Sequence, residues 1–179
     1  MAFLGRSNVG KSSVLNALAG ARGLARVSST PGRTQTVNFF RVGHELYLAD
    51  LPGYGFARVP EATRQGWERL AVSYLDGRGP LALCIFIVDA RHDPMEGDEM
   101  LREWLEYRRK PYTLAANKAD KLGRSERARR VAALRRWAGS HARGVIAVSV
   151  PERTGIDELW AAIRGAAGDH QDQRKQRKG

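Results

Sequence analysis

At 179 residues, 42% of them hydrophobic and only one a cysteine, the chain is sized for one compact domain whose core stands without disulfides or a structural metal, which excludes a disulfide-stapled secreted module. No apolar run approaches the roughly 20 residues of a membrane helix, and the first residues lack the charged-then-apolar layout of a signal peptide, so a cytoplasmic chain with no stable membrane association is expected. The formal charge of +11 makes a polyanion the natural class of partner.

Apolar strands alternate with helical stretches, the pattern of a mostly parallel sheet covered by helices on both faces. AFL is the stub of a first strand, and SSVLNALAG is the helix after the loop GRSNVGK. VNFFRVGHELYLAD reads as two strands turning at Gly43 and His44, an antiparallel hairpin. A helix is predicted over residues 61–76, ahead of the strand LALCIFIVD, where Cys84 is a small core hydrophobe. Residues 95–108 form the next helix, YTLAAN the next strand, residues 125–141 a helix, VIAVS the last strand and residues 156–166 the last helix. The class is α/β in three layers, with about six strands, one of them an antiparallel edge strand. Residues 1–167 form one domain, and 168–179, GDHQDQRKQRKG, a basic tail predicted to be disordered. Trp67, Trp104, Trp137 and Trp160 fall in predicted helices, where packing on the sheet is expected, and the four histidines show no metal-ligand spacing. Nothing demands more than a monomer.

The positive charge is unevenly placed. Residues 1–44 hold no acid; the stretch 124–136 carries Arg124, Arg127, Arg129, Arg130, Arg135 and Arg136 against Glu126 alone; the tail adds Arg174, Lys175, Arg177 and Lys178. A solvated surface charge accounts for any one of these, but three clusters leaning the same way point to nucleic acid. An anionic membrane fits less well, because SERARRVAALRRWAG has only a modest apolar face of Ala128, Val131, Leu134 and Ala138, suited to core packing.

GRSNVGKS lies between the strand stub and the first helix, the context a P-loop requires. Gly5 and Gly10 allow a tight loop whose N–H groups turn inward on phosphate oxygens at the positive end of the helix. Lys11 reaches the β- and γ-phosphates, and Ser12 offers a hydroxyl to Mg²⁺. DLPG ends a strand, so that Asp50 can hold a water of the Mg²⁺ shell and the N–H of Gly53 can sense a γ-phosphate, although Asp-x-Pro-Gly is also an ordinary turn. NKAD after YTLAA selects the base: Asp120 can accept from N1–H and the 2-amino group of guanine, where adenine offers an acceptor and no amine. Lys118 is expected along the ring, Asn117 to brace the loop, and the backbone around Ser149 and Val150 to close on the guanine O6.

GRSNVGKSSVLNAL, SSTPGRTQTVNFF, LADLPGYGFARV, IFIVDARHDPMEGDEMLREWL and NKADKL together resemble the EngB (YihA/YsxC) family of bacterial ribosome-biogenesis GTP-binding proteins, over about residues 2–166. TPGRTQT is the most family-specific stretch. The resemblance implies a TRAFAC-class P-loop GTPase fold, with Mg²⁺ held by Ser12 and Thr34 and, through water, Asp50. It implies a nucleotide cradled by Gly5, Arg6, Ser7, Asn8, Val9, Gly10, Lys11, Ser12 and Ser13, with Gly32, Arg33, Thr34, Gln35 and Thr36 of a first switch. Asp50, Leu51, Pro52 and Gly53 would follow, then Asn117, Lys118, Ala119 and Asp120, and finally Val148, Ser149 and Val150. Lys11, Thr34 and Gly53 are the residues implied for catalysis. Only four residues precede Gly5, where family members carry an extension, so the first strand is expected as a stub; the last motif reads Ser-Val where Ser-Ala is frequent.

Ras-like enzymes place a Gln after the DxxG glycine to orient the attacking water; here the residue is Tyr54, so slow intrinsic hydrolysis is expected. Asn8 stands where some GTPases use an Asn to hold K⁺ against the phosphates, so K⁺ or the ribosomal particle is expected to stimulate turnover. Residues 22–40 and 54–60 would be the switches, flanked by Arg22, Arg26, Arg33, Arg41 and Arg58. The function implied is a GTPase switch that binds the large ribosomal subunit or its precursor and is needed for its assembly and, through that or separately, for cell division and septation. A division-site GTPase acting on the membrane or on division proteins, and a non-catalytic RNA-binding module, are the alternatives.

Overall fold

The computed structural model describes residues 1–20, 37–43, 46–54, 69–76 and 81–176, apart from the side chains of 173–175. In chain order these form β1 (Ala2–Gly5), α1 (Lys11–Ala19), β2 (Asn38–Val42), β3 (Leu46–Asp50), α2 (residues 69–76), β4 (Cys84–Asp89), α3 (Glu96–Tyr107), β5 (Tyr112–Asn117), α4 (Arg124–Trp137), β6 (Ala142–Ala147) and α5 (Ile156–Gln176), with a short 3-10 turn at Ala119–Lys121. The strands join in one sheet of order β2-β3-β1-β4-β5-β6, parallel throughout except for the β2–β3 hairpin at one edge. This is the three-layer architecture the sequence pattern predicts.

Alternation along the inner strands explains why their sequences are apolar at nearly every position before the polar residues at their carboxyl ends. In β4, Cys84, Phe86 and Val88 join one core with Leu101 and Leu105 of α3 and Leu134 of α4, while Ile85 and Ile87 join the other with Val14, Leu15 and Leu18 of α1 and Leu159 and Ile163 of α5. Helices cover both faces, so neither can be polar. β1 is short but central: Ala2 and Leu4 point to one core, Met1 and Phe3 to the other, between β3 and β4. Trp104 and Trp137 pack on the first core and Trp160 on the second, its Nε1 donating to Leu18 O at 2.9 Å; Trp67 lies outside the described residues. Cys84 is fully buried, and burial pushes its thiol up to about 12.

β4 starts later than expected, at Cys84, β6 runs Ala142–Ala147 where residues 145–149 were expected, and two helix ends differ more widely from the sequence reading. α4 ends at Trp137, not His141, because Glu106 of α3 takes the next corner: its carboxylate accepts from His141 N at 3.1 Å and from Ser140 Oγ at 3.0 Å. α5 runs past Ala166 to Gln176, so residues 168–176, predicted to be disordered, are helical. Gln and Arg are good helix formers, and extending a helix whose first half is already packed costs little; Asp169 is also held by Arg143 at 2.9 Å.

Candidate guanine-nucleotide site

The carboxyl ends of the strands bring the chemistry together. β1 ends at Gly5, β3 at Asp50, β4 at Asp89 and β5 at Asn117, and the β4–β5 register sets Asp89 against Asn117. In open α/β sheets this edge is where ligands bind.

The loop from Gly5 to α1 has the backbone a phosphate cradle needs. Asn8 (φ 66°) and Gly10 (φ 93°) are left-handed, which turns successive N–H groups to one side. Gly10 could not be replaced, because a Cβ there would strike Asn117 Nδ2, whose amide donates to Val9 O at 2.8 Å and so ties the loop to β5. α1 begins with no side-chain cap and no acid in its first turn, and Lys11 stands at its first position. A cation on the positive end of a helix is the reverse of the usual preference and suits a site built for an anion. Lys11 and Asp50 are 9% and 5% exposed and paired, Lys11 Nζ donating to Asp50 Oδ1. Phosphate oxygens would compete with Asp50 for that ammonium. Ser12 and Asp50 supply hydroxyl and carboxylate oxygens, the hard donors Mg²⁺ takes, so these residues fit that ion. Among the described residues no cluster of three His, Cys, Asp or Glu could hold a metal by itself.

On the other side, Lys118 (φ 63°) turns sharply after β5 and reaches back, its Nζ on Asn8 O at 2.8 Å and Asp89 Oδ2 at 2.9 Å. Burial opposes ionisation of Asp89, but hydrogen bonds from Arg91 and Lys118 outweigh it and hold the carboxyl far below its usual range. Asp120 is likewise held below its usual range, with burial opposed by hydrogen bonds from Ser149 and Lys121. It is therefore an ionised acceptor at neutral pH, its Oδ1 fixed by Ser149 Oγ at 3.0 Å with lone pairs to spare. Ala119 N donates to Val148 O at 3.0 Å and Val148 N to Ala116 O at 2.8 Å, which joins the two loops. One expectation needs correction: the N–H of Ser149 donates to Thr154 O at 3.0 Å, so it is not available to a guanine O6, and Val150 is the remaining backbone donor of that pair.

Behind the phosphate loop lies a contact the sequence reading missed. Asp98, 2% exposed in α3, accepts from Arg6 Nε at 3.0 Å, Tyr54 Oη at 2.9 Å and Met95 N at 2.9 Å. Ser7 N donates to Tyr54 O at 3.0 Å, and a Cβ on Gly53 would meet Ser7 Oγ at 2.8 Å. Burial first, then the Asp98 carboxylate, raises the Tyr54 phenol well above its ordinary range, so it stays neutral. The only sequence signal for Asp98 was its place three residues after a helix start, where an acid caps the N-terminus. Gly32, Arg33, Thr34, Gln35 and Thr36, with Arg22, Arg26 and Arg58, lie outside the described residues.

A family model described as a 50S ribosome-binding GTPase matches residues 1–118. The chain is 45% identical over 163 residues to a probable GTP-binding protein EngB of Geobacter sulfurreducens, covering 91% of this chain and 79% of that one. It is 47% identical over 165 residues to a protein of the same name from Solibacter usitatus, covering 91% and 83%. The crystal structure of a probable GTP-binding protein EngB has the same fold, with a TM-score of 0.77 at 21% identity over 94% of this chain and 98% of that one.

Proposed function

The chain belongs to the EngB family of GTP-binding P-loop GTPases, and from that membership we propose that it is a slow GTPase switch acting in assembly of the large ribosomal subunit and, through that or separately, in cell division and septation. The observation behind this reading is the meeting, at one sheet edge, of an uncapped helix start carrying Lys11 with a fixed, ionised Asp120. One end suits a phosphate chain and the other suits guanine. The description of the matching family model supports the large subunit as partner.

In the bound complex, the N–H groups from Asn8 to Ser13 surround the β-phosphate, and Lys11 exchanges Asp50 for β- and γ-oxygens. Asp120 accepts from guanine N1–H and the 2-amino group, Lys118 lies along the ring, and Val150 N–H faces O6. Ser12 and Thr34 would hold Mg²⁺, with Asp50 through water, and the ion would supply positive charge against that of the phosphates. Gly53, whose close approach to Ser7 leaves no room for a side chain, senses the γ-phosphate through its N–H. Hydrolysis adds water to the γ-phosphorus and breaks its bond to the bridging oxygen, giving GDP and phosphate. No side chain at position 54 is poised to orient that water, because the Tyr54 hydroxyl is bound to Asp98; this supports a slow intrinsic rate. K⁺ at Asn8 or the ribosomal particle stimulates turnover, and equal rates in K⁺ and Na⁺ buffers would remove the cation from the account.

The test is sedimentation with purified ribosomal subunits at fixed physiological salt, with a non-hydrolysable GTP analogue, with GDP and without nucleotide. Large-subunit binding with the analogue alone is expected. Binding indifferent to nucleotide, or none, overturns the reading.

A further inference from the structure

The six arginines between 124 and 136 divide by partner. Arg127 and Arg130 face inward and hold the helix to its surroundings: Arg127 Nε donates to Ala119 O at 3.1 Å with its guanidinium 3.7 Å from Glu152, and Arg130 pairs with Asp93 at 2.5 Å and donates to Arg91 O at 3.2 Å. Arg124, Arg129, Arg135 and Arg136 are exposed. Arg129 has Glu126 at 3.6 Å; the other three have no ion-pair partner among the described residues.

Helix geometry arranges these four in two rows. At about 100° per residue, Arg124 and Arg135 fall within about 20° of each other, as do Arg129 and Arg136, and the two pairs stand about 120° apart. Between the rows lie Ala128, Ala132 and Ser125, all exposed, while the buried Leu134 is on the far side. One row extends over about 16 Å of helix and the other over about 10 Å. Guanidinium forks match phosphate oxygens in pairs, and the short side chains between the rows let a sugar–phosphate strand settle against the helix and be gripped from both sides. A membrane would need large apolar side chains on that same face, and it has none.

We infer that the outer face of α4 is an RNA-docking surface that grips the phosphate backbone without reading sequence. It rests on the ribosome-assembly reading only for the source of the RNA. The face begins four residues after Asp120 and lies outside both segments read as switches, so its grip on RNA alone is the same in the GTP and GDP forms, while stable docking on the large subunit needs the nucleotide-ordered switches as well. The arginine that ties α4 to the base-reading loop, Arg127, is not part of it.

The experiment compares the full chain with the variant Arg124→Gln/Arg129→Gln/Arg135→Gln/Arg136→Gln, and with a control that loses equal charge off this face, Arg108→Gln/Arg109→Gln/Arg143→Gln/Arg164→Gln. Binding of a short RNA duplex is followed by anisotropy across a salt series, with GDP and with the GTP analogue, after urea unfolding has shown that all three chains fold. The face variant is expected to bind about tenfold or more weaker at physiological salt, with a log–log salt slope shallower by about 3, alike for both nucleotides, and the control to stay near the parent chain. Equal losses in the two variants overturn the proposal. So does binding of phosphatidylglycerol vesicles or polyglutamate as tight as that of RNA and equally dependent on these arginines. If the parent chain binds the duplex through this face yet never sediments with large subunits, the ribosomal reading fails while the RNA surface stands.

Discussion

Asp98 takes hydrogen bonds from Arg6 of the phosphate loop, Tyr54 after the DLPG turn and its own helix start, so one buried carboxylate fixes three segments. Asp98→Ala leaves a buried phenol and a partly buried guanidinium without that acceptor and is expected to cost about 2–3 kcal/mol in urea unfolding, whereas Asp98→Asn, which can still accept from Tyr54, is expected to cost about 1 kcal/mol. Equal, negligible losses would show that the contact carries no weight. At the base end, Ser149→Ala removes the hydrogen bond that aims Asp120. GDP should then bind about five- to tenfold more weakly in a fluorescence titration, with preference over ADP retained, because Asp120 itself remains. Lys11, Asp50, Asn117 and Asp120 were legible in the sequence because phosphate and guanine dictate both residue type and position at a strand end. Asp89 and Asp98 were not: the neighbouring Arg91 that binds Asp89 marks no site by itself, and Lys118 for the one and Arg6 and Tyr54 for the other are brought in by the packing of distant segments.

Among the elements, the phosphate loop and α1 act as one piece through Gly10. Gly10→Ala combines a left-handed φ of 93° with a collision against Asn117, so it should abolish measurable nucleotide binding while the circular dichroism of the sheet and helices persists. Retained affinity would mean that the loop adapts. The corner between α4 and β6 is held by Glu106, 19% exposed, whose carboxyl is brought down from 4.5 to about 2: burial opposes ionisation, but hydrogen bonds from His141, Tyr112 and Ser140 prevail. A depressed acid stabilises the fold above its unfolded value, and that stability drains away as pH falls from about 4.5 toward about 2. The parent chain should therefore exceed Glu106→Gln by about 1–3 kcal/mol at neutral pH, with the gap closing over that window in urea midpoints. A gap constant with pH would contradict the assignment. The ends of α4 and α5 were misread for related reasons. Periodicity reports which face is buried, and neither the Glu106 corner nor a polar helical extension changes it.

Across the whole molecule, a sheet buried on both faces sets the strand ends in one row, and the nucleotide site is the consequence of that row. The class and the antiparallel edge hairpin followed from alternating apolar runs and the turn at Gly43, both of which a single sequence displays, whereas the strand order required the structure. The charge of +11 was equally visible, but its division into inward arginines that pin α4 and outward ones that face solvent required the packed helix. The central claim is that guanine recognition by Asp120 governs docking on the large subunit. Asp120→Asn tests both halves at once, because an amide in place of the carboxylate offers a donor that suits the additional carbonyl of xanthine. In sedimentation with large subunits, the variant is predicted to lose binding driven by the GTP analogue and to regain it with the xanthosine analogue. Docking by the variant that still follows the GTP analogue, or that ignores nucleotide altogether, would contradict the account.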